Sequence, residues 1–282
     1  MFCYIDEART PSQRRLASCI ARWRRVGDRR VLFAAAHAMA IDNVMATARA
    51  GRFVESAWVC DLVREWLEYY LITVEPDDDD LSLVTPPAWK DGHSATAATR
   101  ITAAPEALML AVNAHVNNDL AQALADALRA EWPLSTMRLE RRRADFDRLT
   151  SVVADTMDGM QHLVTRFESV LTDGCARGGE QANALWNIRQ LIEAWREDVW
   201  RDALMLVTAV DASWTTAVRE AIECNAARRG HLLMCRIQDR EDLVLQPAAM
   251  LDRVFPQHHA AAECRLSGRP PVWGGQVPAR AF

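Results

Sequence analysis

Apolar residues recur three and four positions apart along most of the chain, the spacing that places them on one face of an α-helix. The first such stripe consists of Leu16, Ile20 and Trp23. A helix is predicted to begin at Pro11, because proline suits the first helical turn. A second helix is predicted over 31–50 and a third over 53–74, with Gly51 ending the second. The apolar stripe of the third helix consists of Trp58, Leu62, Trp66, Leu67 and Tyr70.

Loop-forming residues interrupt this pattern between 75 and 94, where acidic residues, prolines and a glycine cluster. Further helices are predicted over 105–131, 134–171, 181–210 and 213–229. Shorter helical stretches are predicted after Gly230 and over 247–255, and the residues from 267 onward are expected to be loose. The pattern therefore predicts an all-α, bundle-like domain at 1–266, with a buried polar helix at its centre and a tail at 267–282.

The composition is that of a globular protein, with 50% hydrophobic and 25% charged residues, and it excludes global disorder. The net charge of −5 argues against non-specific binding to nucleic acid. Seven cysteines without a C-x-x-C pair, and charges near the N-terminus, favour a reducing, cytoplasmic location. The longest apolar run, 31–41, is interrupted by His37 and is too short to span a membrane, so no membrane span is predicted.

Polar side chains crowd into the middle of the predicted helix 105–131. His115 and Asp119 lie one turn apart and share a face, and Asn113 and Asn117 form a second pair of the same spacing. Neighbouring valines and leucines turn these faces toward the interior, where polar groups are costly unless they are paired. This helix is therefore expected to contain an internal polar cavity, a polar network or a metal site.

The spacing of His115 and Asp119 leaves three interpretations open. The pair could chelate one divalent cation (Mg, Mn, Fe or Zn) in the core of a helical bundle. It could instead act as a general base whose tautomer is fixed by the aspartate. It could also be a structural hydrogen bond without chemistry.

The stretch 113–124, N-A-H-V-N-N-D-L-A-Q-A-L, resembles the hallmark of the family called domain of unknown function 5995, whose helix reads close to N-A-H-I-N-x-D-L-P-L-A-L. Weaker resemblances follow in order over about 55–235: Asp61 with Tyr69 and Tyr70, Pro87 to Trp89, Asp145 with Phe146, and Arg196 with Glu197. Two positions depart from the family, Ala121 for its proline and Trp195 for its alanine. The resemblance implies a functional site without naming a reaction.

Three sets of residues are predicted to form this site. The predicted catalytic residues are His115, Asp119 and Glu197. The predicted metal ligands are His115, Asp119, Asp61 and Asp145, which come from different predicted helices, as a bundle-core site requires. The predicted substrate-binding residues are Asn113, Asn117, Arg196 and Tyr69. Together they predict a small-molecule enzyme of hydrolase, lyase or cyclase type, metal-assisted and acting on an apolar or specialised metabolite.

Two alternatives accompany this prediction. Asn118, Gln122 and Asp126 resemble the second magnesium motif of class I terpene cyclases, which bind Mg²⁺ and an isoprenyl diphosphate, although Gln122 replaces the usual Ser or Thr and Asp126 replaces Glu. The acidic run 77–80 falls in a loop, too close in sequence to be their first motif. The other alternative is a non-catalytic helical ligand-binding or interaction protein, whose polar residues form a satisfied network that fixes helix register.

Overall fold

Helices make up nearly all of the part of the chain that the structure describes. The computed structural model describes residues 9–74, 85–90, 93, 104–171 and 178–238. Within these ranges it describes the side chains of all residues except those in 104–106, 157–187 and 235–238. The helices are α1 (Pro11–Val26), α2 (Arg30–Arg49), α3 (Ser56–Val74), α4 (Ala104–Ala114), α5 (Ala121–Arg129), α6 (Thr136–Leu171), α7 (Gly178–Val207) and α8 (Ala212–Gln238). No strand occurs in the described ranges, so the predicted all-α class is confirmed.

Local sequence signals set the ends of the first two helices. Thr10 and Gln13 form a capping box at the start of α1. Gly27 ends α1 with a φ of 70°, and Gly51 follows α2 with a φ of 65°. Both values lie in the left-handed region that glycine enters at little cost, so these two residues let the chain reverse after each helix.

The predicted helix 105–131 lies at the centre of the described fold. It contacts α2, α3, α7 and α8, while α6 packs along α2 and α7 around it. All of its residues from 107 to 125 are buried. It differs from the prediction in one respect: His115–Leu120 forms a π-helical turn between α4 and α5, which we call the π turn. A wider turn lets consecutive polar side chains reach partners on several sides instead of one face.

Several helix boundaries differ from the sequence prediction by two or three residues, including the start of α3 at Ser56 (predicted 53) and the end of α7 at Val207 (predicted 210). The helix α7 begins at Gly178, three residues before the predicted start, and α8 continues through Gly230, where a break was predicted. A glycine inside a helix costs only about 1 kcal/mol relative to alanine. Burial of Arg229 and Leu233 on either side of Gly230 anchors α8 across that position. The predicted loop at 75–94 is described at only seven positions, of which 87–90 and 93 are helical. The predicted helix 247–255 and the predicted tail lie outside the described residues.

The helix α2 is long and apolar enough to cross a membrane by length and composition alone, with a mean hydropathy of 1.4. However, 61% of that stretch is buried inside the protein. It packs against α1, α3, α4 and α6. A core helix of a soluble protein passes the same composition test, and the predicted absence of a membrane span therefore stays a prediction.

Candidate functional site

The π turn carries the polar residues that the sequence singled out. All six of its residues are buried. The indole Nε1 of Trp66, on α3, donates a hydrogen bond of 2.8 Å to the backbone oxygen of His115. A buried backbone oxygen without a partner would be costly, so this bond supports the irregular turn. Such turns within helices are frequent at functional sites.

The structure brings His115 and Asp119 into direct contact. Nδ1 of His115 lies 2.9 Å from Oδ2 of Asp119, and the two side chains are only 3% and 1% exposed. The same carboxylate accepts hydrogen bonds from Nε1 of Trp89 at 2.9 and 3.1 Å and from Nδ2 of Asn118 at 2.8 Å. Because Trp89 and Asn118 both donate, the arrangement suits Asp119 as an acceptor, and His115 then donates through Nδ1.

A second histidine completes this cluster. Nε2 of His37, on α2, lies 3.2 Å from Nε2 of His115. The imidazole of His115 also stacks on Trp66, with ring centroids 4.3 Å apart and planes 10° from parallel. Phe33, Tyr70 and Trp89 contribute further ring contacts. We refer to His37, His115 and Asp119 as the buried triad; it is enclosed by aromatic side chains.

Burial dominates the protonation of the buried triad. Loss of water lowers the pKa of both His37 and His115 well below the usual histidine value, so both imidazoles are neutral near pH 7. Burial raises the pKa of Asp119 to about 7, although the hydrogen bonds from Asn118 and Trp89 act in the opposite direction. The triad therefore gains or loses a proton near neutral pH through its carboxyl group.

Asn113 and Asn117 belong to a separate polar network. Nδ2 of Asn117 donates to Oδ1 of Asn113 at 3.0 Å, and Asn113 donates to the backbone oxygen of Ala226 at 2.9 Å. The guanidinium of Arg229, on α8, donates to Asn117 and, at 2.7 Å, to Asp198 on α7. This network ties the central helix to α7 and α8, and both asparagines have protein partners where substrate contacts were predicted.

Only two of the four predicted metal ligands, His115 and Asp119, are brought together, and Asp61 and Asp145 lie elsewhere. Asp61 is at the surface, with its side chain 60% exposed and paired with Arg64. Asp145 is buried, but its two oxygens accept the backbone N–H groups of Val54 and Glu55 at 2.6 and 2.8 Å, just before α3. Within the described residues, no group of three or more His, Cys, Asp or Glu side chains is placed to hold a metal ion. The ligand set of His115, Asp119, Asp61 and Asp145 is therefore not assembled in this structure.

The remaining predicted site residues also have other partners. The carboxylate of Glu197 is 46% exposed and pairs with Arg143. Arg196 is near Asp147, with 3.8 Å between Nε and Oδ1. The hydroxyl of Tyr69 donates to Oδ2 of Asp126 at 2.7 Å, at the packing of α3 on α5. The structure thus gives Glu197, Arg196 and Tyr69 ion-pair or hydrogen-bond partners outside the buried triad.

Sequence reasoning missed His37 and the role of Trp89. His37 was treated only as an interruption of an apolar run. A histidine inside such a run indicates a buried polar contact, because a buried imidazole needs a hydrogen-bond partner. Trp89 belonged to a weak resemblance, but its bond to Asp119 depends on how the 85–90 segment folds back. A cavity of about 30 Å³ adjoins the two histidines and Trp66, lined otherwise by Phe33 and aliphatic side chains.

Comparison with known proteins yields one match. The profile of a family described as "Family of unknown function (DUF5995)" matches residues 12–236, which is 225 of the 282 residues. The matched range extends beyond the resemblance seen in the sequence and includes α1 and α2, and hence His37. No curated protein and no solved structure matches the chain. With about four-fifths of its length matched, the chain belongs to the DUF5995 family, a family of unknown function.

Proposed function

We propose that the protein is a small-molecule enzyme in which the buried His115–Asp119 pair transfers a proton during the reaction. The observation that carries the proposal is the 2.9 Å contact between the imidazole and the carboxylate, made where both side chains are buried. A carboxylate in this position holds the imidazole in one tautomer and orients it, as a general acid or base requires.

The pKa of the carboxyl group supports a proton-transfer role. A group that exchanges protons works best when its pKa lies near the working pH. Burial raises the pKa of Asp119 to about 7. Strongly shifted carboxyl groups are concentrated at functional sites, although structural networks also produce them.

The proton-transfer form of the proposal accounts for the contacts of His115 better than the metal-assisted form. One ring nitrogen of His115 faces Asp119 and the other faces His37. A metal ion chelated by Nδ1 of His115 and by Asp119 would have to displace the proton between them and compete with the hydrogen bonds that Trp89 and Asn118 donate to the same carboxylate. The surrounding rings of Phe33, Trp66 and Tyr70 favour an uncharged, largely apolar substrate over an anionic one.

A terpene cyclase role is not proposed. Asn118 donates to Asp119, and Gln122 donates to Asn118 at 3.2 Å, so neither side chain is directed to a shared cation. Asp126 pairs with Arg129 and accepts from Tyr69. Asn118 and Gln122 are thus used in hydrogen bonds within the central helix, and Asp126 joins that helix to α3 through Tyr69.

One observation favours the second candidate, a non-catalytic helical binding or interaction protein. Both asparagines of the network around Arg229 have protein partners, which is how a buried network fixes the register of packed helices. In that case the buried triad would be structural too. The two candidates differ in whether conservative substitution of His115 abolishes a reaction without unfolding the protein.

The test is a comparison of metabolite conversion by matched variants. Purified wild type, His115→Gln and Asp119→Asn are each incubated with a metabolite extract of the organism that encodes the chain, and products are followed by mass spectrometry. Glu197→Gln and Arg196→Gln serve as controls, since the structure places both residues in ion pairs with other helices.

The proposal expects at least one conversion that wild type and both controls perform and that the His115 and Asp119 variants lose by 100-fold or more, with folding retained by circular dichroism. A conversion that survives in folded His115→Gln, or that depends on Glu197 instead, would contradict it. Folded wild type that converts nothing in the extract would favour the binding-protein candidate.

A further inference from the structure

An open groove lies between α1 and α2, on the side of α2 that faces away from the buried triad. Its volume is about 370 Å³, which is within the range of small-molecule binding sites. On α2 the groove is lined by Ala35, Ala38 and Met39, whereas Phe33 and His37 line the interior cavity on the other side of the same helix. The groove is therefore a second site, separate from the buried triad.

The floor of the groove is apolar. Leu16 and Ile20 of α1 and Met39 of α2 supply its larger side chains, and alanines on both helices leave room between them. Ile20 and Met39 are only half-buried, so the floor is still open to solvent. Apolar grooves with a polar rim mark places where an apolar ligand binds.

The helix α1 makes this side of the protein strongly positive. It contains five arginines and no acidic residue. Over residues 9–30 the chain has eight arginines against one aspartate, a formal charge of +7 in a protein whose net charge is −5. That aspartate, Asp28, is bound by Arg30 at 2.6 Å. The charge around α1 therefore favours an anionic ligand.

The two ends of the groove differ in charge. Only three residues, 27–29, connect α1 to α2, and the two helices contact each other, so they run antiparallel. Arg24 therefore lies at the end near the start of α2, and Asp42 lies at the other end, with Arg9. Among the described residues, Asp42 is the only acidic one that lines the groove. An anionic group is thus favoured at Arg24, where the N-terminus of α2 adds the positive end of its dipole.

The groove has the length of one lipid chain. From Gln13 to Arg24, the lining part of α1 rises about 16 Å. The hydrocarbon core of a bilayer is about 30 Å thick, so the acyl chain of one leaflet spans about 15 Å. A groove between two packed helices, whose axes lie about 8–10 Å apart, is wide enough for one such chain, which favours a single-chain lipid over a phospholipid.

We propose that the groove between α1 and α2 binds a long-chain fatty acid, with the acyl chain on the apolar floor and the carboxylate paired with Arg24. The chain matches the apolar floor and its length, and the carboxylate matches the positive charge at the Arg24 end. The proposal goes beyond the proton-transfer function above and does not depend on it, because the two sites use opposite sides of α2.

The test is isothermal titration calorimetry of the full chain with dodecanoate, kept below the concentration at which it forms micelles. One molecule of dodecanoate is expected to bind saturably to each chain. Dodecyltrimethylammonium has the same chain with the opposite charge, and butanoate has the same charge with a short chain. Both are expected to bind about ten-fold more weakly or worse, since one lacks the attraction to Arg24 and the other lacks most of the apolar contact.

Matched variants locate the site. Ala38→Trp fills the groove and is expected to abolish binding, and Ala21→Trp, at an exposed position of the same groove, replaces it if that variant does not fold by circular dichroism. Arg24→Gln is expected to weaken binding about five-fold, the effect of one exposed ion pair. Arg25→Gln is the control, because Arg25 is the next residue, is exposed and does not line the groove.

Saturable binding that the filled groove abolishes, and that Arg24→Gln weakens while Arg25→Gln does not, supports the proposal. The absence of saturable binding to wild type, unchanged binding to the filled groove, or equal weakening by the two arginine variants overturns it. Two further results overturn it by identifying another occupant. Wild type that ignores dodecanoate but sediments with phosphatidylglycerol vesicles uses the groove on a membrane, and wild type that forms a dimer abolished by Ala38→Trp covers the groove with a second copy.

Discussion

Replacing Asp119 with asparagine removes the ionisable carboxyl group of the buried triad while keeping its size. The amide is the uncharged counterpart of a protonated carboxyl group, so the variant and the wild type carry the same charge at this position at low pH. At high pH the wild type must hold a carboxylate away from water, which the variant avoids. The difference in their free energies of unfolding should therefore shift in favour of the variant as the pH rises.

The size of this shift follows from the pKa of Asp119, which burial raises from 3.8 to about 7. Between these values the native state holds a proton that the unfolded chain has lost, so rising pH destabilises the native wild type. The stability is fully present below about pH 4 and is lost as the pH rises through about 7. Each pKa unit corresponds to about 1.4 kcal/mol. Over about three units, the wild type should lose about 4 kcal/mol relative to Asp119→Asn.

The assay is urea unfolding, followed by tryptophan fluorescence, of both proteins at several pH values from 4 to 8. Subtracting the two free energies at each pH removes contributions that both proteins share. Asp61→Asn is the matched control, because that side chain is at the surface, and its difference from wild type should stay within about 0.5 kcal/mol throughout. A difference between Asp119→Asn and wild type that does not change with pH would refute a raised pKa at Asp119.

Three further substitutions test the structural roles assigned above, each by urea unfolding. Asp145→Ala should cost about 1–3 kcal/mol for each of the two backbone N–H groups it leaves without an acceptor. If the wild type unfolds at the same urea concentration with and without a metal chelator, Asp145 has a capping role, and if the chelator lowers the stability of the wild type but not of the variant, Asp145 has a metal role. Trp66→Phe should cost about 1–2 kcal/mol by removing the donor to the backbone of His115; an unchanged midpoint would mean that this bond does not support the π turn. Arg229→Met should cost about 3 kcal/mol, because it removes the buried cation that faces Asp198; a loss below about 0.5 kcal/mol would show the network to be dispensable.

Periodicity was sufficient to predict the helical class and to place most helix ends within about three residues, because apolar stripes and capping residues act locally. The stripe from Trp58 to Tyr70 is buried as predicted. The polar segment around His115 was recognisable because such residues are rare inside an apolar helix and need partners. What the sequence could not supply was the identity of those partners, since spacing along one helix gives no information about contacts between helices.

The carboxylates show this limit most clearly. Asp61, Asp145 and Glu197 all occur on helices or next to them, and sequence spacing does not determine which side of a helix bundle each one faces. In the structure, Asp145 caps the start of α3 and the other two pair with arginines at the surface. His37 was overlooked for the same reason, because its contact with His115 depends on the packing of α2 against the π turn.

The account depends on a buried carboxyl group that exchanges its proton near neutral pH within a histidine pair. The most direct measurement is a ¹³C NMR titration of the side-chain carboxyl carbon of Asp119, identified by its absence from Asp119→Asn. The account predicts a transition near pH 7 that moves when His115 is replaced by glutamine. A carboxyl carbon that titrates near pH 4, or one that is unaffected by His115→Gln, would contradict the central claim.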